Sequence, residues 1–275
     1  MEAKKKITKT ILYILLISLA LFMLVPFYWM VISSLKLNKD VFSIPMTWWP
    51  ETMHPENYRI IWEKLPLITF FKNTAKLTLC TTVIQLCTSC FAAYGFTKCH
   101  FKGRDTLFLM YVTTIAVPWQ VYMVPQFMMM RSFGLADTHL AIICLQAFSA
   151  FGVFMMKQFY EGIPTELCEA ARIDGMSEYQ IWYKVMLPLS KPALSTLTIF
   201  TFVNTWNDFL GPLIYLTTES KKTLQLGLRM FISQFGSEYG LIMAASVLSL
   251  IPVLIVFLSL QKYFVEGVAA SGVKG

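Results

Sequence analysis

CEAARIDGMSEYQIWYKVMLPLSKP, running from Cys168 to Pro192, carries Glu169, Arg172, Asp174, Glu178, Lys184 and Lys191 in a chain of which only 14% of residues are charged. The runs on either side, AIICLQAFSAFGVFMM and ALSTLTIFTFVNTW, are apolar enough to lie in lipid. Its local signals are those of two short helices. Pro164 fits a first helical turn, where a missing N–H costs nothing. Glu166 follows it at the positive end of the helix dipole, and Gly175 is placed to close that helix in a left-handed cap. Leu167, Ala170, Ala171 and Asp174 stand at i, i+3, i+4 and i+7, so they share one low face suited to close approach by another surface. Glu169 and Arg172 are spaced to pair at i, i+3. Ser177 with Gln180 makes a capping box for the second helix, and Pro188 is expected to stop it. A solvated connector is the plainer alternative, but such a loop seldom specifies its ends this tightly.

The rest of the chain places this unit beside a membrane. Of 275 residues 56% are hydrophobic, 22 are Phe, and mean hydropathy is +0.57. A soluble domain carries charge on about a quarter of its residues. Six segments reach the roughly 20 residues that a spanning helix needs. They lie near 11–34, 73–97, 106–130, 138–159, 192–216 and 241–264, and the fold class expected is an all-α integral membrane protein with six transmembrane helices. The first segment has a long apolar core and no small-residue cleavage pattern, so it reads as a retained span rather than a signal peptide. Lys4, Lys5, Lys6 and Lys9, with the short loop KCHFKGRD, favour a cytoplasmic N-terminus. Both termini and the 161–191 loop then face the cytoplasm, and Trp48, Trp49 and Trp62 lie in an outer, interfacial loop.

Several functions are excluded or disfavoured. The net charge of +7 comes with no basic stripe interleaved with aromatics, so no nucleic-acid partner is expected. Cys87 and Cys90 form a C-x-x-C inside an apolar run, where packing is the better reading. The three His residues have no metal-ligand spacing, and no metal site is expected. There is no H-E-x-x-H, no G-x-S-x-G and no phosphate-cradling G-x-x-x-x-G-K-[ST]. The chain therefore reads as a non-enzyme without catalytic residues, and any ATP it depends on must be bound by another chain. An ion-coupled secondary transporter, the alternative, calls for more intramembrane charges and internal pseudo-symmetry.

Asp208 stands within the fifth apolar segment, where even a lenient scale charges about 2.5–3.5 kcal/mol for it at a helix centre. Thr201, Asn204, Thr205 and Asp208 repeat at i, i+3, i+4 and i+7 with Asn207 beside them, a polar stripe that reads either as the wall of a hydrated pathway or as glue between helices. Pro118, Pro125 and Pro252 permit bends in the third and sixth segments.

Glu169-Ala170-Ala171, Asp174-Gly175 and, nine residues on, Val185-x-Leu187-Pro188 resemble the E-A-A signature of permease subunits in binding-protein-dependent ATP-binding-cassette importers. Valine replaces the usual isoleucine. Ser34-Leu35-Lys36, Trp206-Asn207-Asp208-Phe209 and the tail from Phe264 through Gly272, Val273, Lys274 and Gly275 resemble the carbohydrate class, the tail being similar to that of the maltose-type second permease subunit. The resemblance implies one permease domain over 1–275 of the type I importer fold, with a cytoplasmic coupling loop at 161–191 and a cytoplasmic tail at 265–275. It assigns Glu169, Ala170, Ala171, Asp174, Gly175, Leu187 and Pro188 to ATPase coupling. It further implies a homologous second permease, two ATP-binding-cassette subunits that hold the ATP-Mg, an extracellular solute-binding protein delivering a sugar or polyol, and a bacterial inner (plasma) membrane. The tail residues would reach the ATPase subunits.

Overall fold

A computed structural model describes residues 2–233 and 238–272, with side-chain surroundings described over 5–232 and 238–263. Backbone N–H and C=O groups have no water to bond in hydrocarbon, so a chain this apolar must satisfy them within helices or a closed barrel. The described residues form helices and no strand. Four helices are long and apolar enough to cross a membrane: Lys5–Ser33, Leu67–Lys98, His139–Glu161 and Tyr239–Tyr263. Two bent pairs raise the number to six if each is one span.

The bends are where the structure departs from straight spans. The 106–130 run is two helices, Arg104–Ala116 and Trp119–Ser132, set 101° apart. Pro118 is the cause. It pushes the preceding residue out of helical geometry, and Val117 is extended at φ −89°, ψ 111°. Pro125 and Pro252 lie inside helices without breaking them. The 138–159 run is interrupted between Gln146 and Ala150, and Ser149 Oγ accepts from Gly152 N at 3.0 Å to cap the second piece. The 192–216 run stops at Trp206 and resumes at Leu210. Asp208 therefore sits in a break between helices, not on the helix that its spacing implied.

The chain divides into two compact units. The first comprises residues 1–67 and 227–251. In it Lys36 is only 1% exposed, with Nζ donating to Thr47 and lying 4.4 Å from the Trp29 ring centre. Asn57 Nδ2 donates to the carbonyls of Ser34 and Lys36, both at 2.9 Å. A Cβ on Gly240 would lie 2.7 Å from the Lys36 carbonyl oxygen, so only glycine fits that approach. Ser34-Leu35-Lys36 is thus a packed junction at the end of the Glu2–Ser33 helix.

The second unit, residues 68–226 and 252–275, has two described apolar clusters. One joins Cys90, Tyr94, Met156 and Leu197 to Cys168, Ala171, Ile181 and Met186, so the 161–191 segment shares a core with the apolar helices around it. The other gathers Leu77, Met130, Ala141, Ile142 and Tyr215. Beside it, Asp137 at φ +56° turns its carboxylate onto the segment after Leu216. It accepts from Thr217 N (2.9 Å), Thr218 N (3.1 Å), Thr218 Oγ1 (2.6 Å) and Lys221 Nζ (2.9 Å). These donors, Lys221 first, hold its carboxyl far below the usual carboxylate range. The clasp fixes Tyr215, whose carbonyl accepts from Asp137 N at 3.0 Å.

Candidate functional site

The helix of the 161–191 segment spans Glu166–Ile173. Thr165 is its N-cap, so Pro164 lies one residue ahead of the expected first turn. Its far end closes in a Schellman arrangement. Gly175 N donates to Arg172 O and Met176 N to Ala171 O, each at 3.0 Å, with Gly175 at φ +79°. Cys168 and Ala171, one turn apart, are buried in the core, while Leu167, Ala170 and Asp174 face outward with Ile173, 87% exposed, beside them. The shared face expected from spacing is therefore divided: Ala171 anchors the helix and the other three form its open side. Glu169 is exposed as well.

Arg172 does not pair with Glu169. Its Nε donates to Glu178 Oε1 at 2.6 Å and its Nη2 to Glu178 Oε2 at 3.2 Å. The fork-to-carboxylate geometry explains the choice, since it makes two charge-assisted bonds where an exposed i, i+3 pair makes a loose one. Arg172 Nη2 also reaches the Lys98 carbonyl at 3.3 Å, and the Tyr94 hydroxyl donates to Glu178 Oε2. Lys98 is 3% exposed and returns the link, its Nζ donating to Ile163 O at 2.6 Å. Arg172 foremost holds the Glu178 carboxyl below its ordinary range, and Glu178 holds the guanidinium above its own. The two short helices are thus tied to each other and to the last turn of Leu67–Lys98.

The second helix has the expected capping box, with Gln180 N donating to Ser177 Oγ (3.3 Å) and Ser177 N to Gln180 Oε1 (2.9 Å). It ends at Leu189, one residue past the stop expected at Pro188. The helix runs from Glu178 to Leu189, widens into a π turn over Trp182–Met186, then bends by 82° into Lys191–Trp206. The wide turn lies directly before Leu187 and Pro188, whose ring and missing N–H disfavour α geometry over the preceding turn.

A second polar constellation lies around the helix breaks and lines an open-sided cavity of about 490 Å³. Thr201, Asn204, Thr205 and Asp208 line it, whereas Asn207 does not: its Nδ2 donates to Val203 O at 2.9 Å and its Oδ1 accepts from Gln225 Nε2 at 3.2 Å. Asp208 Oδ2 accepts from Gln146 Nε2 at 2.8 Å and Oδ1 from Gly211 N at 3.1 Å. The two interruptions, one beyond Gln146 and one at Asp208, therefore face each other across a hydrogen bond. Irregular backbone at membrane depth is tolerated where it lines such a cavity. Gln85, Trp119, Tyr122 and Gln126 complete its polar and aromatic wall, and Trp119 Nε1 donates to Gln126 Oε1 at 2.7 Å.

Sequence reasoning passed over Gln85, Gln126 and Gln146, and the signal was there: each is a carboxamide inside an apolar run, a cost that calls for a partner or water. Tyr94 and Lys98 carried no such signal, because only the fold brings them to Arg172 and Glu178. Gly272 is the last helical residue of Tyr239–Gly272, and Val273, Lys274 and Gly275 lie outside the described residues.

Comparison with known proteins agrees with this architecture. Residues 85–269 match the family of binding-protein-dependent transport system inner membrane components. The arabinooligosaccharides transport system permease protein AraQ of Bacillus subtilis is 33% identical over 273 residues, covering 98% of this chain and 96% of that one. The lactose transport system permease protein LacG of Rhizobium radiobacter is 32% identical over 256 residues, covering 93% of each. A solved bacterial ABC transporter that imports the acidic polysaccharide alginate has a chain superposing with TM-score 0.81 at 28% identity, over 94% of this chain and 97% of that one. These relatives are membrane permease components rather than enzymes, and the chain belongs to the binding-protein-dependent transport system inner membrane components.

Proposed function

We propose that this chain is one permease half of an ATP-driven importer that carries a sugar or related polyol across a bacterial plasma membrane. Both termini are cytoplasmic in this reading, the Arg104–Ala116 and Trp119–Ser132 pair counts as one span, and the fifth span begins after the 82° bend, with Glu178–Leu189 on the cytoplasmic side. The observation that carries it is the Glu166–Ile173 helix, which keeps an open side of Leu167, Ala170 and Asp174 while its inner side joins the core of the apolar helices. A surface mounted this way can pass a push from a docked ATPase directly to helices that line a cavity.

Two cytoplasmic ATPase subunits hold ATP-Mg and close on nucleotide. Glu169, Ala170, Ala171, Asp174 and Gly175 then move with the docked helix, with Leu187 and Pro188 at the bend into Lys191–Trp206. The Arg172–Glu178–Tyr94 ties carry that motion to Leu67–Lys98, and rearrangement of the broken helices around Gln146 and Asp208 opens the cavity to the other side. A homologous second permease completes the pathway, an extracellular binding protein delivers the solute, and the tail from Gly272 to Gly275 contacts the ATPase subunits.

Uptake in proteoliposomes tests this reading. The chain is reconstituted with its partner permease, with and without the ATPase subunits, and binding protein with a sugar panel is added outside. Uptake that requires both the ATPase subunits and ATP is the expected result. Uptake driven by an ion gradient without them would identify a self-sufficient secondary transporter instead.

A further inference from the structure

The cavity around Gln146 and Asp208 holds one carboxyl group, and both of its oxygens accept from N–H donors, Gln146 Nε2 at 2.8 Å and Gly211 N at 3.1 Å, an arrangement that suits a carboxylate. Among the described residues that line it, Asp208 is the only ionisable acid and none is Lys, Arg or His. We infer that this cavity accepts uncharged hydroxylated cargo and rejects acidic sugars, with Asp208 as the rejecting group. The inference rests on the reading above, in which the cavity lies on the import pathway.

The wall supplies what a neutral carbohydrate needs. Gln85, Gln126 and Asn204 are carboxamides, each with donor and acceptor atoms, which match a hydroxyl that both gives and takes a hydrogen bond. Trp119 holds the Gln126 oxygen through its indole N–H, leaving the Gln126 amino group as the free donor. Trp119 and Tyr122 offer flat apolar surface for the C–H face of a sugar ring. Asp208 is pinned by Gln146 Nε2 and Gly211 N, so its carboxylate cannot swing away from an approaching anion. No cation stands by to neutralise a second carboxylate, and like charges close together in a partly dry site repel strongly. The fold itself does not impose this limit, since the solved alginate importer carries an acidic polysaccharide on the same architecture.

The test uses the whole importer in nanodiscs without its binding protein, so that the membrane subunits alone select. Saturation-transfer NMR is recorded with maltose, lactose and cellobiose, and with their aldonates maltobionate, lactobionate and cellobionate. Transfer to at least one neutral disaccharide is expected, at least tenfold stronger than to its aldonate, with Asp208→Asn bringing the two within about threefold. Equal signals from sugar and aldonate in the wild type would overturn the inference, as would a gap that Asp208→Asn leaves untouched. Trp119→Ala separates the two levels of the argument. If it lowers ATP-driven uptake while aldonates bind as well as sugars, charge selection alone falls. If it alters neither uptake nor any sugar signal, the cavity is not on the pathway and both readings fall.

Discussion

The 161–191 segment and the Asp208 cavity are both polar islands in an apolar chain, yet they are built in opposite ways. The segment is specified locally: its glycine cap, its capping box and its buried Cys168–Ala171 stripe arise within a few residues of one another. The cavity is assembled from Gln85, Trp119, Gln146 and Asp208, which meet only through tertiary packing. A locally built element can be moved as a unit, which suits a part that transmits force. A wall drawn from several helices changes shape when those helices shift, which suits a gate.

The sharpest way to break that contrast is Gly175→Leu. A Cβ at Gly175 meets nothing within 4 Å, so the damage comes from its backbone, held at φ +79°. A non-glycine residue in left-handed geometry costs about 1–2 kcal/mol, and the leucine also projects from an exposed corner. The protein should still insert, while sugar uptake per ATP hydrolysed falls at least tenfold in proteoliposomes. Gly175→Asn, which tolerates left-handed geometry, should retain most coupling. Wild-type uptake by Gly175→Leu would remove the coupling role.

The matching change in the cavity is Gly211→Ala. Its Cβ would stand 2.5 Å from Asp208 Oδ2, so the carboxylate must leave its bonds to Gly211 N and Gln146. Uptake should fall several-fold, with ATP turnover falling less, because the docking helix is untouched. If ATP turnover and uptake drop together, the cavity is mechanically part of the coupling unit and the contrast fails.

The same contrast decides what was legible in the sequence. Gly175 and the Ser177–Gln180 box could be read directly because each is a local hydrogen-bond problem with one local solution. Arg172 was expected to pair with Glu169, but Glu178 takes it, in a site completed by Tyr94 and the Lys98 carbonyl, which nothing in the local pattern points to. Thr201, Asn204 and Thr205 showed their common face through helical spacing. Asp208 reaches the same cavity by another route, since the helix ends at Trp206 and Asp208 follows in the break before Leu210. Pro118 was expected to permit a bend in the third segment, but the 101° size of that bend was not legible, because hydropathy registers length and not direction.

Glu178→Gln comes next in size and tests the tie between loop and spans. The folded Glu178 carboxyl titrates lower than a free one, chiefly because of Arg172. The ion pair therefore contributes fully above the ordinary Glu range near pH ~4.3 and is lost as pH falls through the lower folded value. Gln removes the charge at every pH. Two- to fivefold weaker coupling at pH 7 is expected, together with loss of an acid-dependent step in hydrogen exchange that is predicted for the wild-type loop below about pH 4.3. Coupling unaffected by Glu178→Gln would leave the shared apolar core as the sole link between loop and spans.

Ser177→Ala should have the smallest effect. It removes the acceptor for Gln180 N while leaving the Ser177 N–H to Gln180 Oε1 bond intact, a cap loss worth about 1 kcal/mol. The helix behind that cap is also held by Ile181 and Met186 in the core and by the Arg172–Glu178 pair, so fraying should stay within its first turn. Faster hydrogen exchange at Gln180 with uptake within about twofold of wild type is the expected pairing. A tenfold loss of uptake from this one hydroxyl would mean that the loop sits close to melting and works by ordering itself on its partner. In that case its local specification would serve to make folding of the segment switchable, and the rigid transmission drawn from the shared core would have to be given up.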